Sequence, residues 1–114
     1  KLMTCIFDDI IARRIPSDIV YEDDKCLAFK DIHPVAPVHV LLIPKQCITQ
    51  LSMAQPSDQA LLGHLMIKSA EVARLMNVEH AYRLVVNNGK QAGQSVFHLH
   101  LHIIGGELMG WPPI

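Results

Sequence analysis

The 114 residues carry 50% hydrophobic and only 18% charged side chains, with a formal net charge of -1, a balance that fits one compact domain and excludes a disordered chain. No basic run offers an electrostatic footprint for nucleic acid, so no nucleic-acid partner is expected and any phosphate would be held locally. No apolar stretch approaches the roughly 20 residues of a membrane span, and no charged leader followed by an apolar core opens the chain. No membrane association is therefore expected, and the expected location is cytoplasmic, with the nucleus as the alternative. Since the sequence opens at Lys1, a trimmed organelle leader is compatible as well. Cys5, Cys26 and Cys47 are an odd set without disulfide-framework spacing, which fits a reducing compartment.

From Thr4 to Arg14, Ile6, Phe7, Ile10 and Ile11 recur at helical spacing. A short amphipathic helix is predicted, capped by Thr4 and ended by Pro16. Ile19 to Glu22 and Cys26 to Phe29 are β-prone runs joined by the acidic turn Asp23-Asp24, which predicts a hairpin, with Cys26 a buried small hydrophobe. Asp31 to Pro37 is a loop, because two prolines in four residues remove backbone donors. Val38 to Ile43 reads as a central strand carrying one histidine, His39, and stopped by Pro44.

Cys47 to Ala54 reads as a connector with one helical turn. Pro56-Ser57-Asp58 then opens the longest periodic stretch, whose stripe of Leu61, Leu62, Leu65, Met66, Ala70, Ala73, Leu75 and Met76 predicts a helix to Asn77 covering a sheet. His64 and His80 fall on its solvated face or its exit. Arg83 to Asn87 is the next strand, and Asn88-Gly89 invites a turn. The loop from Gly89 to Ser95 is rich in donors, and its backbone is suited to holding an anion. Trp111, beside two prolines, is expected to pack on this subunit or another. Five strands with one long helix between the third and fourth predict an antiparallel α+β domain spanning residues 1–114.

The chemistry concentrates in Phe97-His98-Leu99-His100-Leu101-His102-Ile103-Ile104. On a strand, period-2 spacing puts His98, His100 and His102 on one face and Leu99, Leu101 and Ile103 on the other. Imidazole titrates nearest neutral pH and serves as nucleophile, acid, base, phosphate donor or metal ligand. Two chemistries fit: a catalytic zinc held by alternate histidines, or attack on phosphorus by one neutral imidazole while the others steady the oxygens. Spacing alone does not choose between them. The small donors Gly93, Gln94 and Ser95 just upstream suit an oxyanion better than a metal's outer shell.

His98 to Ile104 resembles the motif of the histidine triad (HIT) superfamily, and the likeness extends to Tyr21-Glu22-Asp23-Asp24, Ala28 to Ile32, Ala36-Pro37-Val38-His39, Leu42 to Lys45 and Leu61 to Met66. Leu61 to Met66, Gly93-Gln94-Ser95 and Trp111-Pro112-Pro113 look specifically like the nucleotide-binding, purine nucleoside phosphoramidase branch. This resemblance implies a homodimer with two five-stranded sheets joined into one. The implied reaction hydrolyses the P–N bond of adenosine or guanosine 5′-phosphoramidates to the nucleoside monophosphate and an amine, without a catalytic metal. His100 would be the nucleophile, its Nδ1 donating to a backbone carbonyl. His102 and His39 would contact the phosphate, and His98 would support the nucleophile's orientation. Ser95 and Gln94 would hold phosphate oxygens and the leaving amine, Gly93 would allow close approach, and Asn87 would bind near the phosphate. Asp31 would take the ribose hydroxyls. Ile6, Phe7, Ile10, Phe29 and Ile32 would line the base pocket, and Trp111 would reach the partner's site.

Some members of that superfamily hold a structural zinc through a Cys-x-x-Cys pair, a later histidine and the first triad histidine. The corresponding positions here are Cys5, Asp8, Cys47 and His98, an altered set from which a structural zinc remains an implied option. His33 stands where a small polar residue is expected and alters the rim of the ribose pocket. Rival readings are cleavage of dinucleoside polyphosphates, a purine-nucleotide-binding interaction module with vestigial catalysis, and a zinc hydrolase.

Overall fold

A computed structural model of the chain describes residues 5–114. Helix α1 (Ile6–Ile11) precedes strands β1 (Ile19–Glu22), β2 (Cys26–Lys30) and β3 (Val38–Pro44), followed by helix α2 (Gln59–Leu75) and strands β4 (Tyr82–Val85) and β5 (Leu101–Gly105). All pairs are antiparallel, in the order β1-β2-β3-β5-β4, so the strand bearing His39 is central. No helix among the described residues is long and apolar enough to cross a membrane.

The expected cap Thr4 lies outside the described residues. The start of α1 is tied instead by the Cys5 N–H donating to Asp8 Oδ2 at 3.1 Å, and Asp8 and Asp9 suit the positive end of the helix. The helix is shorter than the periodicity implied: it ends before Arg13, whose φ of 63° reverses the chain ahead of Pro16. The β1–β2 hairpin forms because Asp23 Oδ1 accepts the N–H groups of both Lys25 and Cys26 at 2.8 Å, closing the turn with its side chain. A single 3₁₀ turn, Pro56–Asp58, precedes α2. At its exit Asn77 takes φ 61°, with Val78 N–H bonded to the Ala73 carbonyl at 2.9 Å and Asn77 N–H to Arg74 at 3.1 Å, the double bond of a Schellman ending.

Two apolar layers flank the sheet. One, under α2, gathers Val40, Leu42, Leu65, Val72, Leu99, Leu101 and Ile103. On the opposite face Phe7, Ile10, Leu27, Phe29, Leu41 and Ile43 form the second layer, beneath α1. The stripe of α2 is narrower than its periodicity suggested: Leu65, Val72 and Ala73 are buried, with Ser69 among them, whereas Met66 and Leu75 are more than half exposed.

The histidine strand is also shorter than expected. Its ladder begins at Leu101, opposite Leu42, so His98 and His100 precede it. Pro44 supplies the reason, since it has no N–H to extend the pairing, and the Leu99 N–H turns instead to the Ile48 carbonyl at 2.6 Å. The alternation survives this departure, with Leu99, Leu101 and Ile103 in the layer under α2 and the triad rings on the α1 side.

Candidate active site

Between α1, the end of β2 and the triad lies a cleft of about 260 Å³. Ile6, Phe7, Ile10, Phe29, Leu41 and Ile32 make its apolar walls, and Asp31, Ser95, His100 and His102 its polar edge. An apolar slot ending in a few polar groups suits a flat aromatic ligand with a charged end.

His100 is buried, and its Nδ1 donates to the backbone carbonyl of His98 at 2.8 Å. That bond fixes the tautomer and leaves the lone pair on Nε2. Burial holds the ring's pKa below the ordinary imidazole value, against the opposing influence of the His98 carbonyl and Asp31, so the neutral, nucleophilic form is favoured. Phe7 stands edge-on to this ring, with centroids 5.0 Å apart.

His102 and His39 meet diagonally across the β3–β5 pair, because His39 sits opposite Ile104 and His102 opposite Leu41. His39 Nε2 lies 2.9 Å from His102 Nδ1. Behind them, the Val35 N–H donates to His39 Nδ1 at 3.2 Å, and Asp31 Oδ2 lies 3.5 Å from His39 Nε2. Burial, then the proximity of His100 and His39, pushes the pKa of His102 down to about 4. Its Nε2 is buried and has no hydrogen-bond partner among the described residues.

The His98 ring turns away from the cleft. Its Nε2 donates to the Pro44 carbonyl at 2.7 Å, so it is the His98 backbone oxygen, not the imidazole, that touches His100. His98 Nδ1 lies 3.7 Å from Cys5 Sγ and 3.7 Å from Asp8 Oδ1, and the three ligand atoms fall within 4.8 Å of one another. Such separations match the edges of a tetrahedron around zinc, with bonds of about 2.0–2.3 Å. Three of the four expected zinc positions therefore come together; half-buried Cys47 is not in that set. Asp31, His39 and His102 form a second group of possible ligands, but the bond between the two rings already accounts for their closeness.

Other expected site residues lie elsewhere. Gln94 is 2% exposed; its amide donates to the carbonyls of Thr49 and Val96 at 2.8 and 3.0 Å and accepts from the Gly89 N–H at 2.8 Å. With its amide so engaged, the Gln94 side chain holds the loop together and is not free to grip a phosphate, which corrects the role expected for it. Gly93 takes φ 96° with Asn87 beside it, so a glycine is required for the turn rather than only for access. Asn87 and Trp111 line a separate groove along β4 with Pro113 and Ile114. Trp111 is 82% exposed, so little of its surface is covered by the described residues. Half-buried His64 is not on a solvated face: its Nε2 bonds Asp23 Oδ2 at 2.7 Å. His80 is exposed, as is His33, whose backbone N–H donates to Asp31 Oδ1 at 2.8 Å. Sequence reasoning missed the Val35 N–H and the Pro44 carbonyl, main-chain groups that no side-chain motif announces, and Ser17 on the cleft wall.

Residues 12–109 match the HIT domain family model. The chain belongs to the HIT family. It is 62% identical over 108 residues, 95% of each chain, to an uncharacterized HIT-like protein of Synechocystis sp.. The structure superposes with a TM-score of 0.95 on a protein from Clostridium thermocellum described as a HIT family hydrolase, 43% identical and covering 100% of both chains. It also superposes, with a TM-score of 0.82, on a histidine triad nucleotide-binding protein from Candida albicans, 30% identical and covering 96% of this chain and 83% of the other.

Proposed function

We propose that this HIT protein is a hydrolase of purine nucleoside 5′-phosphoramidates working through a nucleotidyl-histidine intermediate. The observation that carries the reading is the His100 ring, with Nδ1 bonded to the His98 carbonyl and an Nε2 lone pair at the cleft beside the unpartnered His102 Nε2. The Nε2 lone pair of His100 attacks the α-phosphorus; the P–N bond breaks and the amine departs with a proton. Water then attacks the same phosphorus, releasing the monophosphate and restoring His100. His102, backed by His39, donates to a phosphoryl oxygen, and the Ser95 hydroxyl at the cleft edge reaches another. Asp31 takes the ribose diol, and the walls from Ile6 to Ile32 hold the purine face. The apolar slot and the name of the Candida albicans relative favour a nucleotide over a smaller phosphoryl compound.

A homodimer belongs to the same reading. β4 is an edge strand, and beside it Trp111 and Ile114 are strongly exposed, so a second copy meeting that edge would extend the sheet and cover them. Sedimentation equilibrium should give twice the chain mass for wild type and the chain mass for Leu84→Pro, which removes a donor on the open side of β4; a monomeric wild type sinks the dimer. Zinc would be held by Cys5, Asp8 and His98, where it would tie α1 to the triad segment without taking part in turnover.

The deciding experiment is amine release from adenosine 5′-phosphoramidate in excess chelator, comparing wild type with His100→Ala. Turnover that survives chelation and vanishes in the variant supports covalent histidine catalysis. Activity restored only by zinc would make the histidines ligands and overturn the reading.

A further inference from the structure

A main-chain amide can only donate, and this fact settles the protons of two rings at once. The Val35 N–H points at His39 Nδ1 from 3.2 Å, so that nitrogen must present its lone pair and the His39 proton must sit on Nε2. His39 Nε2 in turn lies 2.9 Å from His102 Nδ1, a separation at which the two nitrogens share one proton. His39 supplies that proton; His102 Nδ1 accepts it, and the His102 proton is left on Nε2. An imidazolium at His39 would set Nδ1–H against the Val35 N–H. An imidazolium at His102 would force the His39 proton back onto Nδ1, with the same collision.

We propose that the backbone N–H of Val35 is a positioning group for the site: through His39 it fixes His102 as a neutral ring carrying its proton on Nε2, the nitrogen without a partner among the described residues. The inference rests on the reading of His102 as a phosphate donor and deepens it, by assigning the control of that donor to the loop between β2 and β3. The charged and titratable neighbours are consistent with a neutral pair. Asp31 Oδ2, 3.5 Å from His39 Nε2, is the alternative acceptor for the same proton, and the His100 ring lies 5.0 Å from His102. A positive His102 at that distance would draw on the nucleophile's lone pair, whereas a neutral one donates to the phosphoryl oxygen and leaves the pair available. Its Nε2–H is a buried donor that is unsatisfied until a ligand brings an acceptor, so the device stores an interaction for the bound state.

The test begins without substrate. Imidazole ¹⁵N shifts of the whole protein at pH 7 should show His39 and His102 neutral with the proton on Nε2; either ring as the Nδ1–H tautomer, or as imidazolium, overturns the proposal. Val35→Pro then removes the single N–H. With its fold checked by circular dichroism, the variant should lose the fixed tautomers and lower kcat for adenosine 5′-phosphoramidate by about 100-fold, the low end of what a positioned proton donor contributes, with little change in KM. A folded variant that keeps both the tautomers and kcat overturns the role of Val35. If the variant does not fold, the wild-type ring spectrum decides by itself. Should wild type show the assigned tautomers yet cleave no phosphoramidate, the proposed substrate fails while the tautomer assignment stands.

Discussion

The two faces of the sheet treat imidazole in opposite ways. Under α2, His64 Nε2 bonds Asp23 Oδ2, and the same carboxylate takes the Tyr21 hydroxyl and the N–H groups of Lys25 and Cys26, all at 2.7–2.8 Å. That cluster is closed: the carboxylate's acceptors are used, and the thiol of Cys26, buried and beside Asp23, is pushed up to about 12, which keeps it protonated and inert. On the cleft face His100 and His102 each spend Nδ1 on the protein and keep Nε2 without a partner among the described residues. Burial with a full set of partners stabilises a fold. Burial with one nitrogen held back leaves a group whose remaining interaction is made with a ligand, and the fold keeps the two kinds apart, one where α2 meets the β1–β2 turn and the other along β3 and the triad segment.

The largest way to break that contrast is His100→Ala, expected to lower kcat by at least about 10³-fold while the melting temperature stays near wild type, since the nucleophile has no substitute in the cleft. Turnover retained in a folded variant would remove His100 from the chemistry. The counterpart on the other face is Leu65→Ala. Leu65 is 1% exposed under α2, so truncation should cost about 2–5 kcal/mol of stability in chemical denaturation and leave kcat of the folded fraction unchanged. A fall in kcat without a fall in stability would show that the faces are not separable.

Legibility divides along the same line. The hairpin, the central β3, the long helix and the triad alternation follow from side-chain periodicity and turn residues, and each stands close to where the sequence puts it. What the sequence hides is main-chain work. The ladder stops short at Leu101 because Pro44 cannot donate, and the carbonyl expected to take the His100 proton belongs to His98, whose own ring turns away to the Pro44 carbonyl. Gln94 looks like a phosphate donor in a loop of donors, yet its amide is consumed by three backbone groups, two within its own loop and one, the Thr49 carbonyl, from a distant segment. Met66 and Leu75 have the right spacing but sit at the margins of a stripe narrowed by Ser69, whose hydroxyl returns its proton to the Met66 carbonyl at 2.6 Å. Cys47 has the right chain position for zinc but is not in the ligand set that its three companions form. Pattern reads which face a residue takes; it does not read which backbone group it will meet.

A smaller effect sharpens the comparison at His64. His64→Phe removes one hydrogen-bonding partner from the closed cluster and should lower stability by about 1–2 kcal/mol, read from the denaturation midpoint, with kcat unaltered. Reduced turnover in this variant would mean that the cluster reaches the cleft through the sheet.

The smallest expected effect is on acid stability, where the two faces separate by pH. Burial depresses His102 from 6.5 to about 4, so between those values the unfolded chain binds a proton that the folded chain refuses. Its contribution is complete above about pH 6.5 and is lost as the pH falls toward 4. Asp23 works lower: burial raises its carboxyl, but the bonds from Lys25, Tyr21, His64 and Cys26 outweigh that and hold it well below the ordinary carboxylate range. Its contribution is complete above the ordinary value near pH 4 and is lost only below it. Calorimetric melting from pH 8 to pH 3 should therefore fall in two stages of a few degrees each. His102→Gln should shrink the upper stage, to which the lowered His100 also contributes, and Asp23→Asn the lower alone. A His102→Gln profile that still falls between pH 6.5 and 4 as steeply as wild type would place the protonation elsewhere, and with it the contrast between an open and a closed histidine cluster would lose its electrostatic half.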